Sequence, residues 1–307
     1  MLYVLPEIKI PVRRGRPFVY LPTVVMCCFL VMVAKRLTVR GLYVLLTTMA
    51  DYQAVMLRTI IPFPNGVIPT RRTFDRRLKN WQTSVRFYMI GMTLIFMKKF
   101  RLAISRLSLD NRMFEAVGAL WHVKDMKKNH IPSGLRNVDL TAGWGVSKYR
   151  GWVFGHALEV IVTTGKLVIP IIALAHSLRS RGNRVVTKIL NLLPKVKKGV
   201  IAADSEYYDF KLAKTTDDTG RFLHTPSKQH PEETPKSKTY LKRKTTVEPY
   251  FERFLQAFVL RGKLDRKGPN AWGYLVTCCF LYQLMVFYNL LNHNSHPLQV
   301  THLIRML

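Results

Sequence analysis

The chain has 307 residues, with 48 Lys and Arg against 18 Asp and Glu, a formal charge of +30 and a pI near 10.3. At 48% apolar and 11% aromatic it can bury a core, which excludes a disordered chain, and its length suits one large domain or two smaller ones. A surface this basic repels itself unless an anion neutralises it, so a polyanionic partner is expected: nucleic acid or an acidic membrane face.

The charge is spread along the chain, since residues 1–108 alone hold 18 Lys and Arg against Glu7, Asp51 and Asp75. A detachable basic arm is therefore excluded. The opening MLYVLPEIKIPVRRGRP places apolar residues before charges, so no secretory leader is expected. Residues 18–62 read as helical, with Thr38 available as an N-cap, and Pro62, Pro64, Asn65 and Gly66 then break the chain. Thr70 can cap a short helix carrying Arg71, Arg72, Arg76, Arg77 and Lys79, with Phe74 and Leu78 four apart and facing inward. A short arginine-rich helix after a turn and another helix matches a helix-turn-helix reader of the major groove; a solvated charged face is the plainer reading.

From residue 101 the period changes. Residues 102–110 read as a strand ending on Asp110, and 151–164 and 166–174 as strands joined by a hairpin at Thr164-Gly165. Pro170 makes the second of these an edge strand. A helix over 177–193, a buried strand over 196–204 ending on Asp204, a helix over 206–217 and a strand over 221–225 follow. Residues 226–239 form a proline-punctuated loop, Thr246 can cap the next helix, and a last apolar helix covers about 270–291. The expected architecture is α/β, with a helical DNA-binding domain over 1–100 and an α/β domain with C-terminal helices over 101–307.

That last helix is long enough to span a membrane, but Trp272, Tyr274, Gln283, Tyr288, Asn289 and Asn292 give it many polar atoms for a lone span. Cys27-Cys28 and Cys278-Cys279 lie in apolar runs without metal-ligand spacing and read as buried, reduced thiols. Acids are scarce, so their places carry information. Asp110 and Asp204 close expected strands, and Glu248 opens an expected helix after a basic stretch. Carboxylates converging from such positions can hold hard divalent cations, and two such ions serve in-line phosphoryl displacement. Singly, the three acids also suit an N-cap, a turn former and a first-turn acid answering the helix dipole.

Several segments together resemble the DDE transposases of bacterial insertion sequences, a family with a ribonuclease-H-like core. They are RGRPFVYLP, IPTRRTFDRRL, SLDNRMFEAVGALWHVKD, GLRNVDLTAGWGVSKYRGWVFGHALEVIV, VIAADSEYYD, VEPYFERFLQAF and YQLMVFYNLL, in that order over most of the chain. The resemblance implies a mixed sheet flanked by helices, with Asp110, Asp204 and Glu248 as catalytic metal ligands and Asp139 and Glu252 as alternates for the first and last. It implies two Mg²⁺ (or Mn²⁺) ions, cleavage at element ends, and attack of the exposed 3′-OH on target DNA. The partners it implies are terminal inverted repeats and target DNA bound by a homodimer, in the bacterial cytoplasm at the nucleoid. Lys242, Arg243 and Lys244 would hold phosphates, and Trp144, Tyr149 and Trp152 could meet unstacked end bases. Relatives often carry tyrosine, arginine, glutamate and lysine at set spacings; here Tyr240 and Arg243 are present, Glu248 comes one residue late and Leu255 stands at the lysine position. The other readings are a metal-dependent nuclease without strand transfer, a DNA-binding protein that has lost catalysis, and a basic membrane-associated protein.

Overall fold

The computed structural model describes residues 19–306 apart from 49, 51, 148, 149 and 227–237, and the side chains of 238–245 also lie outside the described set. Pro22 starts α1 (Pro22–Ala34) at a position where its missing N–H costs nothing, and the helix is buried on most of its circumference. α2 (Val39–Thr47) begins as expected at Thr38, whose hydroxyl accepts from the Gly41 N–H at 3.1 Å. α3 (Tyr52–Ile60) leads through a turn at Pro64–Gly66 to α4 (Arg71–Lys79), capped by Thr70, and to α5 (Trp81–Phe100).

Six strands form one sheet: β1 (Arg106–Glu115), β2 (Gly143–Ser147), β3 (Gly151–Thr163), β4 (Pro170–Ser177), β5 (Gly199–Ala202) and β6 (Arg221–His224). β3 runs antiparallel to β1, β2 and β4, whereas β1, β5 and β6 are parallel, which gives the lateral order β4-β3-β1-β5-β6. β2 and β4 share the outer edge of β3 end to end, because Gly155 opposes both Glu115 and Gly143 while residues 156–162 lie between β1 and β4. Pro170 opens β4, which pairs only with β3, so the edge-strand expectation holds.

α6 (Val123–Lys127) lies between β1 and β2. α7 (Gly182–Leu190) and α8 (Phe210–Asp217) cover one face of the sheet, sharing a core with Leu107, Leu109 and Ile161. α5, α9 (Lys238–Phe258) and α10 (Gly268–Leu291) cover the other, and α11 (Thr301–Met306) packs on α9. α1, α4 and α5 all pack against α10, so the N-terminal helices share one hydrophobic core with the C-terminal ones.

α10 is the one described helix long and apolar enough to cross a membrane, with a mean hydropathy of 1.6, and most of it is buried inside the protein. Several of its polar side chains find partners inside the protein. Gln283 donates to the Met89 carbonyl at 3.1 Å and to Thr93 on α5 at 3.0 Å, Trp272 donates to His156, and Asn289 donates to the Pro297 carbonyl.

Three sequence expectations need correction. β1 does not end at Asp110: its pairing with β3 continues to Glu115, and only its pairing with β5 stops at Ser108. Thr246 is no cap, because α9 starts at Lys238 and runs through Pro249; Glu248 therefore lies mid-helix. β2 is an additional strand, hidden in the sequence by two glycines in the five residues GWGVS.

Candidate active site

Along β1 the side chains alternate. Leu107 and Leu109 turn toward α7 and α8, so Ser108, Asp110 and Arg112 turn toward α9. The Ser108 and Thr246 hydroxyls meet at 3.3 Å, which fixes α9 against the strand. The parallel register places Ala202 beside Ser108, so Asp204, two residues on, is level with Asp110 at the adjoining strand end. There Asp204 accepts from the Ser205 backbone N–H and caps a short turn, Ser205–Tyr207. The register thus sets both acids near the point where the sheet passes from its antiparallel to its parallel half.

α9 runs in the same direction as β1: Thr246 meets Ser108, and Glu252 shares a cleft with Arg112. Between these contacts the strand residue is Asp110, and the helix residue at that level is near Tyr250, midway between Glu248 and Glu252, given rises of about 1.5 Å per helical and about 3.3 Å per strand residue. Glu248 is exposed. Glu252 is turned to a cleft of about 370 Å³ lined by Arg112, Arg150 and Arg261, and it pairs with Arg261 at 3.5 Å. Among the described residues no three His, Cys, Asp or Glu side chains are grouped to hold a metal. The register sets Asp110 and Asp204 at neighbouring strand positions, and neither Glu248 nor Glu252 is grouped with them.

Behind Asp110, on the other face of β1, lies a buried polar chain that sequence reasoning missed. Asn111 donates to the Tyr207 hydroxyl at 3.2 Å, and that hydroxyl donates to Glu159 Oε2. Glu159 Oε1 meets His176 Nε2 at 3.0 Å, while His176 Nδ1 faces the Ser177 carbonyl at 2.8 Å. Both ring nitrogens of His176 thus sit within hydrogen-bond distance of an oxygen. Burial, then the charges of Glu159 and Asp110, push the Tyr207 phenol well above its ordinary value, so it stays a donor. The chain ties the Asp204 turn to β1 and β3. The alternation of β3 could have flagged Glu159, an acid within a run of buried residues.

Asp139, the alternate first acid, is engaged elsewhere. It is 1% exposed and accepts from His156 Nε2 at 2.9 Å, the Gly268 N–H at 2.9 Å, and the Thr141 hydroxyl at 2.7 Å and N–H. Burial alone would raise its carboxyl, but these hydrogen bonds hold it well below the ordinary carboxylate range. Trp272 Nε1 can only donate, so His156 Nδ1 accepts from it at 3.0 Å.

Of the basic residues, Arg72 and Arg76 project from α4 as exposed side chains, Arg71 lies 4.0 Å from Asp75, and Arg77 donates to the Tyr20 carbonyl at 3.5 Å. Lys242, Arg243 and Lys244 fall in α9, with side chains outside the described residues, as is Tyr149 altogether. Trp144 is half-buried, donating to the Trp121 carbonyl at 2.7 Å, whereas Trp152 is 69% exposed and edge-on to it.

No protein-family model matches the chain, and no curated protein matches it. Among solved structures the chain is similar to a piggyBac transposase in a synaptic complex with hairpin DNA, at 10% identity and a TM-score of 0.43, over 99% of this chain and 74% of that one.

Proposed function

We propose that the chain is a DNA transposase of an insertion sequence, with a ribonuclease-H-like catalytic part over 101–307 and a DNA-binding, helix-turn-helix-like part over 1–100. The observation that supports this reading is the β1–β5 register of the β4-β3-β1-β5-β6 sheet, in which Asp110 and Asp204 each follow the Ser108–Ala202 pair by two residues. Ligand sites in α/β sheets form at the carboxyl ends of strands where the strand order reverses, and β1 and β5 flank that point here. Two carboxylates fit Mg²⁺, which takes one or two of them and completes its shell with water and substrate phosphate. Asp110 and Asp204 would hold it, with Glu248 as the third acid. When bound, the metal supplies charge stabilisation for phosphodiester displacement by water or a 3′-OH.

The protein's own groups bind and orient. Arg112, Arg150 and Arg261 line the cleft just past Asp110 and would take the DNA backbone beside the scissile phosphate, as would Lys242, Arg243 and Lys244; the Tyr207 turn holds Asp204 in place. Arg71, Arg72, Arg76 and Arg77 would engage DNA from α4. Terminal repeats and target DNA bound by a homodimer, at a bacterial nucleoid, complete the reading.

The test is cleavage and joining of DNA bearing the element's ends in Mg²⁺. Asp110→Asn and Asp204→Asn should each lower cleavage by about 10³-fold, the equivalent of several kcal/mol of transition-state stabilisation. Glu248→Gln should do the same and Glu252→Gln should not. Full activity in the Asp110 and Asp204 variants would sink the assignment. A second reading, a DNA-binding protein without catalysis, draws on the lack of a three-acid group among the described residues. Wild-type DNA binding without any cleavage would establish it.

A further inference from the structure

A second basic site lies away from these acids. A cleft of about 300 Å³ opens between α2, α4 and the start of α10. Arg40, Arg71, Arg266 and Lys267 line it against two acids, Asp75 and Asp265, so cations prevail. Thr38 and Asn270 also line it, which brings the N-terminal ends of α2 and α10 to its wall. The positive dipole ends of these helices favour an anion, although Thr38 already takes the Gly41 N–H and Asp139 the Gly268 N–H.

Arg266 gives an independent sign. Its side chain is 7% exposed and stacks over Tyr274 with Cζ 3.5 Å from the ring centroid, while its two terminal nitrogens donate to Asp265 and to the Leu37 carbonyl. Its Nε is buried with no hydrogen-bond partner among the described residues, although an orphaned donor of a charged group is costly. Asn270 Oδ1, in the same lining, is also orphaned, and a turned amide would point a donor there instead. Charge, helix ends and an unmet donor all call for an oxyanion.

We propose that this cleft is a phosphate site that seats a backbone phosphate of duplex DNA. Exposed Arg40 would take the phosphate first, Lys267 would join it by leaving the Val138 carbonyl to which its Nζ donates at 3.2 Å, and Arg266 lines the same cleft. The inference rests on the DNA-binding half of the proposed function and not on cleavage. Through α10 and α4, the cleft would fix the DNA relative to the helix that carries Arg72 and Arg76.

The experiment measures the affinity of the full chain for a 30-base-pair duplex as a function of salt, without divalent metal. Each lost phosphate contact lowers the slope of log K against log salt by about 0.9. Arg40→Ala, at an exposed side chain, should lower it by about one, and Arg40→Ala with Lys267→Ala by about two. Lys188→Ala, on the opposite face of the sheet, should leave the slope at the wild-type value. Unchanged slopes in the cleft variants, with wild type still bound, overturn the proposal. Thermal melting in inorganic phosphate, matched with chloride for ionic strength, separates the sources. Phosphate-specific stabilisation lost in Arg40→Ala, with an unchanged DNA slope, would mean a free phosphate ligand and overturn the DNA assignment. If wild type shows no salt-dependent DNA binding, the proposed function itself fails, which is a different outcome.

Discussion

Residue by residue, the polar groups divide into those that titrate into trouble and those shielded from it. Asp139 belongs to the first kind. Its folded carboxyl is depressed, so its stabilising contribution is complete above the unfolded value of about 3.9 and is lost as pH falls through the folded one. Asp139→Asn leaves the donors of Gly268 and His156 competing for one acceptor and should cost about 3 kcal/mol at neutral pH. The gap from wild type should narrow below about pH 4, where wild-type Asp139 begins to lose its charge advantage. Urea unfolding at pH 7 and pH 3 measures both; a gap independent of pH would contradict the ionised role. The cysteines are of the second kind. All four are buried and free, and burial pushes Cys27 up to about 11 and Cys279 up to about 12. Native protein should therefore react with a thiol reagent only as fast as it unfolds, and rapid labelling of even one thiol would show that the α1–α10 packing opens. The sequence made the thiols legible because two apolar runs enclose them. It did not reveal the partners of Asp139, since His156 and Gly268 are distant in the chain and meet only through β3 and α10.

Among the elements, those with strong local signals matched expectation. Thr38 and Thr70 cap α2 and α4, Phe74 and Leu78 turn inward, and Pro170 marks an edge. The misses lie where tertiary pairing decides. β1 gains five residues beyond Asp110 because β3 is long enough to pair with them, and Gly155 makes this possible: a Cβ there would meet the Phe114 carbonyl oxygen at 1.9 Å. α9 starts at Lys238, before Thr246, and runs on through Pro249, where its described part packs on β1 and β5. For α4 the buried face is spent on α10, so its exposed Arg72 and Arg76 are available to an outside partner. If that partner is DNA, Arg72→Ala with Arg76→Ala should lower the salt slope of binding by about two without moving the unfolding midpoint by more than about 0.5 kcal/mol. A slope equal to wild type would reduce α4 to a solvated face.

At the scale of the whole molecule, the charge and the fold bear on one another. The strand order follows from pairing alone and was only partly legible, because a sequence shows strand directions poorly and lateral order hardly at all. The charge was legible at once, and its physical consequence is testable without knowing the site. A 307-residue domain has a radius of gyration of about 19 Å, while the Debye length is about 30 Å at 10 mM salt and about 8 Å at 150 mM. At low salt nearly all of the +30 charge therefore acts on itself across the fold, and at physiological salt only near neighbours do. Unfolding separates those charges, so the melting temperature should rise between 10 and 150 mM NaCl. Duplex DNA at 10 mM salt should raise it further than the added chloride does, because binding to the folded state alone adds RT ln(1 + [L]/Kd). Heparin is the control that separates charge from shape: equal stabilisation by heparin and duplex at matched charge would mean that the protein reads only a polyanion. A larger effect of the duplex would mean that the basic groups of α4 and the clefts are spaced for its backbone. A melting temperature flat in salt would show that the 18 acids already offset the repulsion locally, and the argument from net charge to a nucleic-acid partner would lose its footing.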